Sequence, residues 1–148
     1  MTIAMTEQEQ RARVVEVART FLGTPFHDQQ SLKGVGIDCA HLLREVYVEA
    51  GIIETFPIAP YSPQFMLHTD EGLFEGYVQK VAHEIEPSAV KMGDIVLYKV
   101  GRSFAHGGIV VDWPKSVIHA FKSYKKVVET PAFDADLYGR KVKFYSHW

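Results

Sequence analysis

The chain changes its hydrophobic period partway along, and that change limits the folds open to it. Up to about residue 84, apolar residues recur at helical spacing; from Ile95 onward they fall into short β-branched or aromatic runs bounded by turn residues. Thr6-Glu7-Gln8-Glu9 has the form of a capping box, Val14, Val17, Ala18, Phe21 and Leu22 follow at helical spacing, and Gly23 ends the run. From Thr24 to Ile37 periodicity disappears, and Pro25, Gly34 and Gly36 predict a loop of a length that often carries function. Asp38 is a good N-cap for a second helix, with Leu42, Leu43, Val46, Tyr47 and Ala50 on its apolar side and Gly51 at its end. Pro57, Pro60 and Pro63 predict irregular chain next, and a third helix is expected from Asp70 to about Glu84.

Five strands are predicted after that, around Ile95–Tyr98, Gly108–Val111, Val117–Phe121, Lys126–Glu129 and Lys141–Tyr145. Helices first and closely spaced strands second predict an α+β fold, with N-terminal helices packed on a C-terminal antiparallel sheet of about five to six strands. With no internal repeat and no low-complexity linker, the 148 residues are expected to form a single domain, 1–148.

Charge and composition narrow the partners. Sixteen basic and 18 acidic residues give a formal charge of -2, so nothing electrostatic calls for nucleic acid or an anionic membrane surface. Lys122, Lys125 and Lys126 form a local basic group that reads as a solvated face. No apolar run approaches the roughly 20 residues of a membrane span. Met1 to Gln10 lacks the basic start and apolar stretch of a secretory signal, so the expectation is synthesis in the cytoplasm without a signal peptide. A single cysteine excludes an internal disulfide and a zinc site built from several thiolates.

That cysteine, Cys39, follows the N-cap. Free N–H groups and the helix dipole favour an anion there, which is expected to depress the thiol pKa and could hold an oxyanion. The bland reading is a small buried hydrophobe. A cysteine nucleophile needs an imidazole, and seven histidines compete. His106 starts a predicted strand, and its neighbour Gly107 leaves room for a substrate to approach. His119 lies on the next strand, 13 residues on, where direct opposition across a hairpin would let one ring hydrogen-bond the other; two unrelated strand histidines is the alternative. His27 either points into a cleft or is solvated. His41 is expected about 200° around the helix from the thiol, facing away. His68, His83 and His147 read as surface residues. Cys39, His106 and His119 could also ligate zinc, but no short ligand spacing supports a metal, and none is assigned.

At this point four motifs align. Gly23-Thr24-Pro25-Phe26, Gly36-Ile37-Asp38-Cys39, His106-Gly107-Gly108-Ile109-Val110 and Val117-Ile118-His119-Ala120 resemble, in order and spacing, the NlpC family of papain-like cell-wall cysteine peptidases. The string from Gly23 to Gly36, and Pro60-Tyr61-Ser62-Pro63, are similar to the branch encoded in phage and prophage tail-gene clusters. The resemblance implies a papain-like fold and hydrolysis of peptide bonds in the peptidoglycan stem, commonly between D-glutamate and a diamino acid. It implies Cys39 as nucleophile, His106 as base and His119 as its orienting group. It places Phe26, His27, Asp38, Ala40 and Gly107 around the substrate, requires no cofactor, and makes stem peptides and phage tail proteins the expected partners. Delivery in a virion, passage during lysis or cytoplasmic recycling all fit a chain without a signal. Two departures stand out. Ala40 and His41 replace the Ser-Gly that usually follows the cysteine, and Phe26 lacks the hydroxyl of the usual tyrosine. The alternatives are a cysteine-dependent acyltransferase or amidase on the same scaffold, and a tail-assembly component with weak turnover.

Overall fold

The computed structural model describes residues 4–61 and 72–148. Among them, three α-helices precede the main sheet: α1 (Glu7–Thr20), α2 (Cys39–Glu49) and α3 (Leu73–Gln79). The capping box at Thr6 forms, with the Glu9 N–H 3.1 Å from the Thr6 hydroxyl. Between α1 and α2 the expected loop contains a short antiparallel pair, β1 (Ser31–Leu32) and β2 (Gly36–Ile37). Hydrogen bonds from Gly23 to Val127, from Val127 to Thr24 and from Phe26 to Lys125 fasten this loop to the sheet.

The sheet comprises β3 (His83–Ile85), β4 (Ile95–Val100), β5 (Ser103–Asp112), β6 (Ser116–Phe121), β7 (Lys126–Thr130) and β8 (Val142–Ser146). Its order is β3-β8-β4-β5-β6-β7, and every neighbouring pair is antiparallel. The α+β expectation and the five strands read from the sequence are all met. The third helix is shorter than expected. It starts after Gly72, whose φ of 63° is left-handed, and ends at Gln79; Asp70 lies outside the described residues. His83 and Glu84, assigned to that helix by spacing, instead pair with Ser146 and Tyr145 as an edge strand. The apolar run was short enough to suit either state, and pairing with β8 decided it.

Alternation along the strands builds two cores. Ile95, Leu97, Ile109, Ile118 and Ala120 face the helices and meet Val14, Ala18, Leu42 and Val46. Val96, Tyr98, Val110, Val117 and Phe121 face the other way, covered by Ala132 and Leu137 from the segment between β7 and β8. No helix among the described residues is long and apolar enough to cross a membrane.

One buried cation joins the layers. Arg11 of α1 is 7% exposed; its Nη1 donates to Asp94 Oδ1 at 2.8 Å and to the Met92 carbonyl at 2.9 Å, and its Nη2 donates to Ser146 Oγ at 3.3 Å. The Trp148 ring lies 4.3 Å from the guanidinium carbon. Tyr47 of α2 donates to the Gly93 carbonyl next door, at 2.7 Å. Removing one partner of such a pair leaves a charge buried without compensation. Asp94→Ala is therefore expected to cost about 3 kcal/mol of folding stability. Urea unfolding measures it, and an Arg11→Met, Asp94→Leu double variant is expected to lose less than the single one.

Candidate active site

The site begins with a carboxylate. Asp38 approaches α2 in an extended conformation and caps it, Oδ1 accepting the His41 N–H at 3.0 Å. Oδ1 also accepts from His41 Nδ1 at 2.7 Å; Oδ2 accepts the Gln29 N–H at 2.7 Å and the Tyr61 hydroxyl through a short bond. An ionised carboxylate only accepts, so the His41 proton sits on Nδ1. Burial pushes the Asp38 pKa up, but the hydrogen bonds from His41 and Tyr61 outweigh it and hold the group below the usual carboxylate range. His41 thus turns its ring to the cap carboxylate.

Cys39 is the first residue of α2, and its thiol reaches the Ala105 carbonyl of β5 at 3.7 Å. A β-bulge makes that contact. Tyr98 pairs with His106 and Lys99 with Phe104, so Ala105 has no opposite number in the β4–β5 ladder. The surplus residue turns its carbonyl toward the thiol and re-aims the neighbouring histidine. A cleft of about 210 Å³ opens there. The loop, α2 and the following segment contribute Phe26, Asp28, Asp38, Cys39 and Tyr61; the sheet contributes Ala105, His106 and Phe121; Lys122, Ser123, Asp136 and Arg140 complete the rim.

The two histidines form a chain. His106 Nε2 lies 2.8 Å from His119 Nδ1, and His119 Nε2 lies 2.8 Å from Thr130 Oγ1. Thr130 donates its single hydroxyl proton to the Pro131 carbonyl at 3.0 Å, so it accepts from His119. His119 then carries its proton on Nε2 and accepts at Nδ1 from His106 Nε2–H. His106 is left with a bare Nδ1, the form a general base needs. The rings are diagonal neighbours, not directly opposed as the spacing suggested. Ile109 pairs with Ile118, a register that sets Gly108 across from His119; the hairpin closes with Asp112 opposite Ser116, around Pro114, and the bulge after Val110 moves the register by one residue. Gly108 is what lets the strands close: a Cβ there would lie 2.7 Å from Val117 Cγ1 and 2.9 Å from the Ile118 carbonyl.

Burial and the Asp38 charge push the Cys39 thiol pKa up, against the N–H groups of Gly107, Ala40 and Cys39 that favour its anion. This overturns the expectation of a depressed thiol. The helix N-terminus is present, but its own N-cap is an acid set beside the sulfur. Burial, His119 and the Arg140 charge hold His106 well below the ordinary imidazole value. Burial likewise lowers His119, to about 4, opposed by Asp134 and Asp136. Both shifts favour the uncharged forms of the thiol and the imidazole that line the cleft.

Of the other residues singled out by sequence, Phe26 and Asp38 line the cleft and three do not. His27 is exposed, its Nδ1 3.2 Å from the Asp28 carbonyl. Ala40 faces a small apolar cavity between α2 and α3. Gly107 turns its α-carbon to Leu97 and Phe74, offering the thiol only its N–H. His83 is exposed, whereas His147 is half-buried with Nδ1 2.7 Å from the Val81 carbonyl; His68 lies outside the described residues. No cluster of three or more potential metal ligands occurs among the described residues. Tyr61, Thr130 and Arg140 were missed as site residues. Only Tyr61 carried a signal, the Pro-Tyr-Ser-Pro string, whose Ser62 and Pro63 are outside the described residues.

No protein-family model and no curated protein matches this sequence. Solved structures do. The NlpC/p60 domain of the peptidoglycan hydrolase SagA is similar over 90% of this chain and 96% of its own, at 19% identity and a TM-score of 0.62. NlpC1 from Trichomonas vaginalis matches over 99% of this chain but only 46% of its own length, at 16% identity and a TM-score of 0.67. RipD from Mycobacterium tuberculosis, a non-catalytic NlpC/p60 domain protein adapted to peptidoglycan binding, matches over 95% of this chain and 99% of its own, at 17% identity and a TM-score of 0.59. The fold is that of the papain-like NlpC/p60 domains.

His119 gives a pH signature. It titrates at about 4 in the folded chain and near 6.5 when unfolded, so between those values the unfolded chain binds more protons. Its stabilising contribution is complete above about pH 6.5 and is lost as pH falls toward about 4, by on the order of 3 kcal/mol. Urea unfolding at pH 7 and pH 4.5 should show the loss in wild type and a smaller one in His119→Gln.

Proposed function

We propose that this protein is a cysteine peptidase that hydrolyses peptide bonds of the peptidoglycan stem, with Cys39 as nucleophile, His106 as base and His119 orienting His106. The observation that carries this reading is one cleft lined by the only cysteine and by His106, whose far nitrogen is tied through His119 to Thr130. The NlpC/p60 fold, found in peptidoglycan hydrolases such as SagA, supports the substrate class.

In this mechanism His106 Nδ1 takes the Cys39 proton as Sγ attacks the scissile carbonyl. The oxyanion rests on the Cys39 N–H at the start of α2. Collapse breaks the C–N bond, and His106 gives its proton to the departing amine. A water, deprotonated by His106, then attacks the thioester carbonyl; the acid product leaves, and the thiol regains its proton. Tyr61 supplies a cleft hydroxyl where Phe26 has none, and it spends that hydroxyl on Asp38. The similarity of residues 23–36 to the phage tail branch adds a finer proposal, that the protein travels with a virion tail and acts on the cell wall of the host. RipD shows that this fold also serves binding without catalysis; here both imidazoles and the thiol remain together in or beside one cleft.

Digestion of purified muropeptides, followed by mass spectrometry, tests the reading directly. Wild type is expected to release cleaved stem peptides, and Cys39→Ala to lose at least about a thousandfold in rate. Binding without cleavage by wild type would give the RipD-like alternative the better claim. Alkylation of Cys39 by iodoacetamide tests the pair itself. Proton transfer to His106 sets the thiolate fraction above the lowered imidazole pKa and below the raised thiol pKa, so the rate should be flat between them. It should fall only below the ordinary imidazole value of about 6.5. In His106→Ala that plateau is expected to give way to a rate rising about tenfold per pH unit. Thr130→Val should lower kcat about tenfold with KM unchanged, the loss of one orienting hydrogen bond, and Thr130→Ser should restore it.

A further inference from the structure

We propose that Arg140, assisted by Lys122, forms an anion subsite in the cleft that holds a substrate carboxylate beside the scissile bond. Arg140 lies just before β8, half-buried, on the rim shared with Cys39 and His106. Its Nε donates to the Asp136 carbonyl at 2.7 Å and its Nη1 to the Lys99 carbonyl at 3.2 Å. Both acceptors are neutral backbone oxygens, so the side chain is held in place while its charge is left uncompensated. Arg11, Arg13, Arg19 and Arg44 each meet a carboxylate; among the described residues none pairs with Arg140 or with the exposed Arg102, and of these two it is Arg140 that lines the cleft.

The acids of the same cleft do not fill that role. Asp38 has its carboxylate oxygens committed to Gln29, His41 and Tyr61, and Asp136 Oδ1 accepts from Ser123 at 2.7 Å. Asp28 belongs to the loop before α2. Among the described residues no partner takes the Nη2 group of Arg140, which keeps two N–H donors for a ligand, and Nη1 has one more beside them; one N–H from each of these nitrogens makes the parallel pair that a carboxylate accepts. Lys122, read from sequence as part of a solvated basic face, stands on the same rim with no ion pair among the described residues. Arg140 also acts on the base: its charge is felt at His106 and opposes protonation there. A carboxylate bound to Arg140 would cancel that charge just when His106 must accept a proton. The subsite thereby links recognition of an acidic peptide to the first chemical step, and a peptide amidated at that position would lose both effects.

The link to substrate rests on the peptidase reading, but the subsite is tested without turnover, because the chain has one cysteine. Iodoacetate and iodoacetamide differ in charge and deliver the same alkyl carbon, so the ratio of their rates at Cys39 reports the local field and cancels changes in thiol reactivity. The native protein is expected to favour iodoacetate, relative to the same protein unfolded in urea, by about tenfold. Arg140→Gln should bring the ratio to the unfolded value, Lys122→Gln should lower it partway, and Arg140→Lys should keep most of it. Sodium chloride at about 1 M should erase it in wild type, a measurement that needs no variant. An unchanged ratio in Arg140→Gln, or a native ratio no higher than the unfolded one, overturns the subsite. A retained ratio with no muropeptide hydrolysis leaves the subsite and removes the peptidase reading; equal hydrolysis of acidic and amidated peptides, with no ratio, removes the subsite alone.

Discussion

The geometry of the cleft depends on one carboxylate with every acceptor position in use. Asp38 starts α2, anchors the preceding loop through Gln29, and fixes Tyr61 and His41 in the same stroke. Four donors on one buried group make the entry to the helix rigid, and Cys39 inherits that rigidity as the next residue. The same charge lies next to the sulfur and works against its ionisation. Positioning and ionisation are therefore in conflict at this helix terminus, and under the proposed mechanism it falls to His106 to remove the proton that the helix dipole does not.

A second constraint acts at the other end of α2. Arg11, Asp94 and Tyr47 join α1, the turn before β4, β8 and α2 through buried polar contacts. The helices can shift over the apolar face of the sheet without losing much hydrophobic contact, since that attraction has no direction. Hydrogen bonds to a guanidinium do have direction. The network ties α1 and, through Tyr47, α2 to the turn before β4 by contacts that hold only at one relative placement.

Much of this was legible in the residue pattern. Capping residues and helical spacing marked α1 and α2, and β-branched runs marked β4 to β8, because in each the local preference and the buried face agree. The error at residues 80–84 arose where they do not: His83-Glu84-Ile85 has no strong preference, and an edge strand is made by its neighbour. The candidate cysteine and histidines were visible as residue types at suggestive spacing. Their relation was not, because the bulges at Ala105 and after Val110 change the register without leaving a mark in composition. Thr130 and Arg140 were invisible for a related reason, each being ordinary in its own segment, with Thr130 brought to His119 and Arg140 to the cleft by chain that is far away in sequence. The thiol pKa was misjudged because a dipole can be read from a helix start, whereas desolvation requires the whole fold.

The bulge at Ala105 also gives the β4–β5 hairpin a parity. Two strands that pair residue for residue tolerate a longer or shorter turn with little effect on the strand beyond it. Here Ala105 resets the alternation: Phe104 pairs with Lys99 and His106 with Tyr98, so two residues that simple alternation would put on one face lie on opposite faces. Losing Ala105 would leave both pairings possible, with Phe104 and His106 as consecutive residues, but would take away the carbonyl that meets the thiol. A change of length at this point is thus felt at the thiol while the same change in the turn is not, a constraint on the backbone that is indifferent to which side chain it carries.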